Sequence, residues 1–261
     1  MRTMAGSGYE ERYFSNIRGE KFFYRMWRLR GARAALILIH ALGLHSGRYT
    51  WLCEGLSFYG VNCYAVDLYG HGLSNGGRGR GTFADLLNAA SKFLELVMSR
   101  ERNSRIVLMG HGAGALAALV LASRYDRVSG LLAFSPLAEL IEISNYPLTL
   151  KLFSLLGLKV RIPLIPPWDV NHPDARLEAK ADKLVNRKLS AKLISSTLDL
   201  LRRIGRVETP FTAVLHEEGE IFSQGFNEFS RLVSDVDDSE IYDPSKESFP
   251  FERVAEWLVE M

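Results

Sequence analysis

Six short apolar runs, nearly unbroken in hydrophobicity and spaced by helical patterns, constrain this chain more than any other feature. They are Ala34–His40 (AALILIH), Val61–Leu68, Arg105–Gly110, Gly130–Ser135, Phe211–His216 and Ser239–Asp243. A strand with one wet face alternates apolar and polar residues. Most of these runs do not, so they read as central strands covered on both faces. Lys21–Leu29 (KFFYRMWRL) alternates better and reads as an antiparallel edge. Between the runs, residues 81–100 carry apolar residues at helical spacing behind Thr82 and Asp85, an N-terminal capping pattern. Further helical patterns cover 115–125, 226–234 and 250–261. Strands alternating with helices specify an α/β fold, a mainly parallel central sheet with helices on both faces.

The alternation stops between Leu137 and Thr209. Residues 147–168 are apolar and proline-rich, and residues 189–205 (LSAKLISSTLDLLRRIG) form an amphipathic helical pattern. We expect residues 137–209 to be a helical cap insertion over the C-terminal ends of the strands, where open α/β sheets place their sites. Residues 1–136 and 210–261 then make the core.

Composition narrows the function classes. With 32 basic and 30 acidic side chains the net charge is +2, which gives no electrostatic case for nucleic acid. Cys53 and Cys63 form neither a disulfide framework nor a metal pattern, and read as buried thiols of a reducing, cytoplasmic compartment. The first residues lack a signal-peptide run, and no apolar stretch reaches the ~18 residues of a membrane span.

The segment with chemical content is Val107–Ala122, VLMGHGAGALAALVLA. A strand, a Gly-x-Gly-x-Gly turn and a small-residue helix outline a G-x-S-x-G nucleophile elbow, with Gly112 where serine would stand. Two other motifs precede it, LILIHALGLHSGRY (36–49) and YAVDLYGHGLSNGGRGRG (64–81). On these three motifs in this order, the chain resembles the α/β-hydrolase superfamily, specifically its monoacylglycerol lipase/lysophospholipase-like branch. The resemblance implies the α/β-hydrolase fold and a serine, acid, histidine triad in chain order. It also implies an oxyanion hole of two backbone N–H groups and no cofactor.

The triad positions that the resemblance implies are degenerate here. Gly112 has no oxygen to offer. An engineered replacement of a serine there would explain this group and not the others. Glu220 matches the acid, although a solvated acidic loop of Glu217, Glu218 and Glu220 is the favoured reading. No histidine follows His216; Lys246 stands nearest the histidine position, with Ser245 one residue away. A lysine charged near pH 7 is a poor general base. The oxyanion donors implied are Ala113 with Leu42 or Ala41. His40, Asp67, His71 and His111 are expected to fasten loops around the site, as are His45, Arg48, Arg78 and Arg80. No spacing among the histidines supports a metal site. Ser135 reads as a structural hydroxyl.

We therefore expect a non-catalytic homologue that keeps a pocket for a lipid-like or small apolar ligand. Two other readings stand beside it: an ester hydrolase with a rewired site, and an interaction scaffold. The resemblance to lipid hydrolases further implies an acyl tunnel or peripheral membrane contact through the cap. Simple packing of its leucines on the sheet is the equal alternative.

Overall fold

The apolar runs became central strands for the reason their composition gives: each is covered on both sides. The computed structural model describes residues 8–144, 147–163, 174–217, 220–233, 236–242 and 249–260. In chain order the first half comprises β1 (Gly8–Ser15), β2 (Lys21–Arg28), β3 (Ala34–Ile39), α1 (Thr50–Phe58), β4 (Val61–Val66), α2 (Phe83–Arg100), β5 (Arg105–His111), α3 (Ala113–Ala122) and β6 (Val128–Phe134). Then come α4 (Ala138–Ser144), α5 (Pro147–Leu155), β7 (Lys159–Arg161), α6 (Ala175–Ala181), β8 (Lys188–Ser190) and α7 (Ala191–Arg203). The chain continues with β9 (Phe211–Glu217), α8 (Glu220–Ser230), β10 (Asp238–Tyr242) and α9 (Phe251–Glu260).

Eight strands make one sheet in the order β1-β2-β4-β3-β5-β6-β9-β10. The β1–β2 and β2–β4 pairs are antiparallel, and every pair from β4 to β10 is parallel. Every residue of β3 and β4 is buried. One apolar cluster packs α2 and α3 on one face, and a second packs α1 and α9 on the other. Thr82 and Asp85 form the reciprocal capping box that starts α2.

Two expectations need correction. Lys21–Arg28 is antiparallel but is not the edge, because β1 pairs along its whole length outside it. The residues of β1 are exposed or half-exposed on both faces, so β1 has no burial pattern to read. Glu220 lies at the start of α8 and not in a loop, since that helix begins six residues before the pattern at Phe226.

Between β6 and β9 the chain leaves the main sheet. There its described residues form four helices and a two-stranded ribbon in which β7 pairs with β8. This inserted segment is tied to the turn after β3. The Asn186 N–H donates to the Gly43 carbonyl, and His45 Nε2 lies 2.8 Å from Asp182 Oδ2. Arg48 adds contacts to Asp182 and Glu178.

Candidate active site

Gly112 stands alone between the last residue of β5 and the first of α3. Its backbone sits at φ 57°, ψ −126°, a conformation that favours glycine. The flanking glycines let strand and helix approach; a Cβ on Gly114 would lie 2.3 Å from the Ile39 carbonyl oxygen. This is the strained strand-to-helix turn of an elbow, buried at the C-terminal ends of the central strands.

The side chain that fills the elbow comes from elsewhere. After β6 ends, Ser135 and Leu137 take left-handed backbone angles, φ 39° and 60°, unusual for residues with a Cβ. The Leu137 N–H donates to the Gly112 carbonyl, which holds the start of α4 against the elbow. Glu139, in the first turn of α4, is thereby aimed into it. Its Oε1 accepts hydrogen bonds from the Ala113 N–H at 2.6 Å and the Leu42 N–H at 3.2 Å. Those are two of the N–H groups that the resemblance implies as oxyanion-hole donors. A Cβ added to Gly112 would meet Glu139 Oε2 at 2.2 Å, so the carboxyl group stands where a residue-112 side chain would begin.

Glu139 is 1% exposed, and its Oε2 has no hydrogen-bond partner. Burial pushes its carboxyl pKa up to about 7, although the N–H groups of Ala113, Glu139 and Leu42 favour the charged form. Desolvation wins because two well-placed donors satisfy one oxygen and leave the other bare.

Of the two alternatives, Leu42 and Ala41, it is Leu42 whose N–H meets Glu139. The Ala41 N–H is taken by the Tyr49 hydroxyl at 3.0 Å, and the Ala41 carbonyl accepts from His40 Nδ1.

The histidines near the elbow are held neutral. His40, His71 and His111 each have a pKa lowered to about 3, with desolvation the leading cause. His40 donates through Nδ1 and accepts the Leu68 N–H through Nε2, so both nitrogens are in use. The Tyr49 hydroxyl, which accepts from the Ala41 N–H, lies within hydrogen-bond distance of His111 Nδ1 at 2.7 Å. His71 Nδ1 donates to the Tyr69 carbonyl. Asp67 accepts from the Ser46 N–H and hydroxyl and from the Leu73 N–H, fastening two loops.

Lys246 and Ser245 lie outside the described residues. Glu220 is placed by its backbone at the head of α8. Cys53 and Cys63 are free and buried, and burial pushes the Cys53 thiol well up, away from the nucleophilic thiolate. Arg48 and Arg78 anchor loops, Arg78 through the Lys183 carbonyl and Asn186. Ser135 is buried with an unpartnered hydroxyl. Among the described residues no cluster of His, Cys, Asp or Glu could hold a metal. Glu139 is the residue that sequence reasoning missed. Its signal was a lone acid in an apolar stretch, SPLAELI.

A sequence profile of the family described as "Serine aminopeptidase, S33" matches residues 30–216, which hold the elbow and both hole donors. The chain belongs to this family. Within the S33 family it is an α/β-hydrolase of the monoacylglycerol lipase-like branch. It is 29% identical over 205 residues to the monoglyceride lipase of Homo sapiens, covering 74% of this chain and 65% of that protein. It is 31% identical over 172 residues to an uncharacterized abhydrolase domain-containing protein of Dictyostelium discoideum, covering 64% of this chain and 17% of that protein. The chain thus spans less than two thirds of either relative. A solved structure of a soluble variant of monoglyceride lipase from Saccharomyces cerevisiae, in complex with a substrate analog, superposes with a TM-score of 0.76. That superposition covers 100% of this chain and 97% of the other at 18% identity, which shows the shared fold. The S33 profile match ends at His216, before Glu220 and Lys246.

Proposed function

We propose that this chain is a non-catalytic S33-family α/β-hydrolase, a pseudoenzyme whose oxyanion hole is occupied by its own Glu139. The observation that carries this reading is the pair Gly112/Glu139. The elbow offers no nucleophilic oxygen, and both hole donors are spent on an internal carboxyl. Loss of a triad serine or histidine alone costs about 10⁶ in kcat, roughly 8 kcal/mol of barrier. The ~10³ of residual catalysis that such variants keep depends on a free oxyanion hole. Here the hole is filled, so that remainder is removed as well.

The ligand we propose is lipid-like or small and apolar, in keeping with the monoglyceride lipase name of the human relative. It would lie beside the hole and not in it. A cleft of about 560 Å³ opens behind α4, with Leu140, Leu198 and Leu201 among its apolar lining and Arg202 and Arg231 among its polar residues. Such a mix suits an amphipathic small molecule. The two free buried thiols are in keeping with a cytoplasmic site.

The test is hydrolysis of a short-chain aryl ester by the purified protein, against buffer and heat-denatured controls. The expected result is no turnover above background in wild type or in Gly112→Ser. Saturable turnover at ordinary enzyme rates, lost in Glu139→Gln, would overturn the reading in favour of a rewired hydrolase. Mass spectrometry of the native protein then reads out any co-purified lipid.

A further inference from the structure

The central sheet ends at β1, and that end is open. Among the described residues no strand pairs with the outer side of β1, where alternate residues turn their N–H and C=O groups outward. Edge strands are commonly protected by shortness, proline, lysine or a bulge. β1 runs for eight residues, GYEERYFS, holds neither proline nor lysine, and pairs with β2 without a break in register. Such an edge is a template for another strand.

The side chains of β1 restrict which strand can add to it. Residues two apart share a face, so Tyr9, Glu11 and Tyr13 lie on one face and Glu10, Arg12 and Phe14 on the other. Tyr9 packs on Trp27 with ring centroids 5.1 Å apart, and Tyr13 packs on Phe23 at 5.2 Å. Both tyrosines nevertheless stay about half exposed. Between them, Glu11 accepts from the Tyr9 hydroxyl at 2.7 Å and from Arg25 Nε at 3.1 Å. On the other face Glu10 and Arg12 form an ion pair, with both side chains about half exposed.

Two identical antiparallel strands are related by a two-fold axis perpendicular to the sheet, which passes between a residue and its own copy. With Glu11 at that axis, Glu10 stands opposite Arg12 of the second copy, and Arg12 opposite Glu10 of the second copy. The four charges then alternate in sign. On the other face Tyr9 stands opposite Tyr13 of the second copy, twice, so each Trp27–Tyr9 contact runs on into a Tyr13–Phe23 contact across the seam. Opposite charges and aromatic rings directly across a ladder stabilise it, and like charges destabilise it. The two Glu11 side chains face each other, but each is already met by Arg25 of its own chain. Moving the axis to Glu10 or to Arg12 abolishes both opposite-charge pairs and sets like charges face to face.

We propose that the outer edge of β1 pairs antiparallel with β1 of a second copy of this chain, centred on Glu11, joining two sheets into one. The occupant is a second copy because the charge order of this strand is complementary to its own reverse. The interface is isologous and closes as a dimer. Three strands separate β1 from β5 and its elbow, so the proposal does not depend on the state of that site.

The test is sedimentation velocity of the full chain over about a hundredfold range of concentration. Wild type is expected to move from monomer to dimer as concentration rises. Glu10→Arg sets cations against Arg12 of the second copy, and Arg12→Glu sets acids against Glu10 of the second copy. Each should weaken the dimer about tenfold or more. Mixed together, the two single variants regain opposite charges at every facing position and should dimerise with each other. The double variant, Glu10→Arg with Arg12→Glu, should dimerise with itself. Neither side chain is buried, so far-UV circular dichroism of every variant should match wild type. A wild type that stays monomeric, single variants that dimerise like wild type, or a double variant that stays monomeric would overturn the proposal.

Discussion

At the elbow, Glu139 is taken out of water and met by two backbone N–H groups. On the outer face of the inserted segment, Lys159, Arg161 and Lys188 stay in water beside uncovered leucines and, among the described residues, form no ion pair. The first region has become self-sufficient: its charge and its empty side-chain position complete each other within one chain. The second keeps both its apolar area and its charge exposed. On the proposed reading, a family fold has given up the reactive end of its site to internal packing. Fold alone would not have separated the two.

The strongest attack on this contrast is Gly112→Ser. The new Cβ would collide with Glu139, displacing a buried carboxyl from its donors at a backbone position that already disfavours a side chain. We expect a loss of about 4 kcal/mol in urea unfolding. In a Glu139→Gly background the same substitution should cost less than half as much, because the two sites are coupled. Equal costs in both backgrounds would mean that Glu139 does not occupy the elbow.

Next in size is the pH dependence. The folded pKa of Glu139, about 7, lies above its ordinary 4.5, so the folded state binds this proton more tightly than the unfolded chain. The stability linked to it is fully present below about pH 4.5 and is lost as pH rises through 7. Wild type should lose about 3 kcal/mol relative to Glu139→Gln across that window. The buried histidines act in the opposite direction in both proteins, losing stability as pH falls from 6.5 toward 3, and cancel in the difference. Parallel pH curves for the two proteins would remove the buried carboxyl from the account.

Tyr49→Phe tests the wall behind the hole. It strips the Ala41 N–H and His111 Nδ1 of their common partner, at a cost of about 1–2 kcal/mol by chemical denaturation. The smallest effect belongs to the outer face. Leu155→Asp should change stability by less than about 0.5 kcal/mol, because its side chain is 82% exposed. A large loss there would mean that the leucines are part of the fold and not of a surface.

The sequence by itself determined the central sheet, since short unbroken runs such as Ala34–Ile39, spaced by helical patterns, read as strands buried on both faces. It also determined the start of α2 at Thr82 and the elbow at Gly112, where the spacing of glycines dictates a turn of fixed shape. These are local properties, carried by neighbours a few residues apart. It did not disclose β1, whose residues are exposed or half-exposed and which pairs with β2 along its whole length. Nor did it disclose Glu139, which reaches Leu42 across 97 residues of chain. The choice of Leu42 over Ala41 rested on where the Tyr49 hydroxyl came to lie, and the like-charge pair Arg161–Lys188 on a ladder register. Only the tertiary structure decided these. A buried polar group takes whichever partner the folded chain brings within about 3 Å, and no local pattern encodes that meeting.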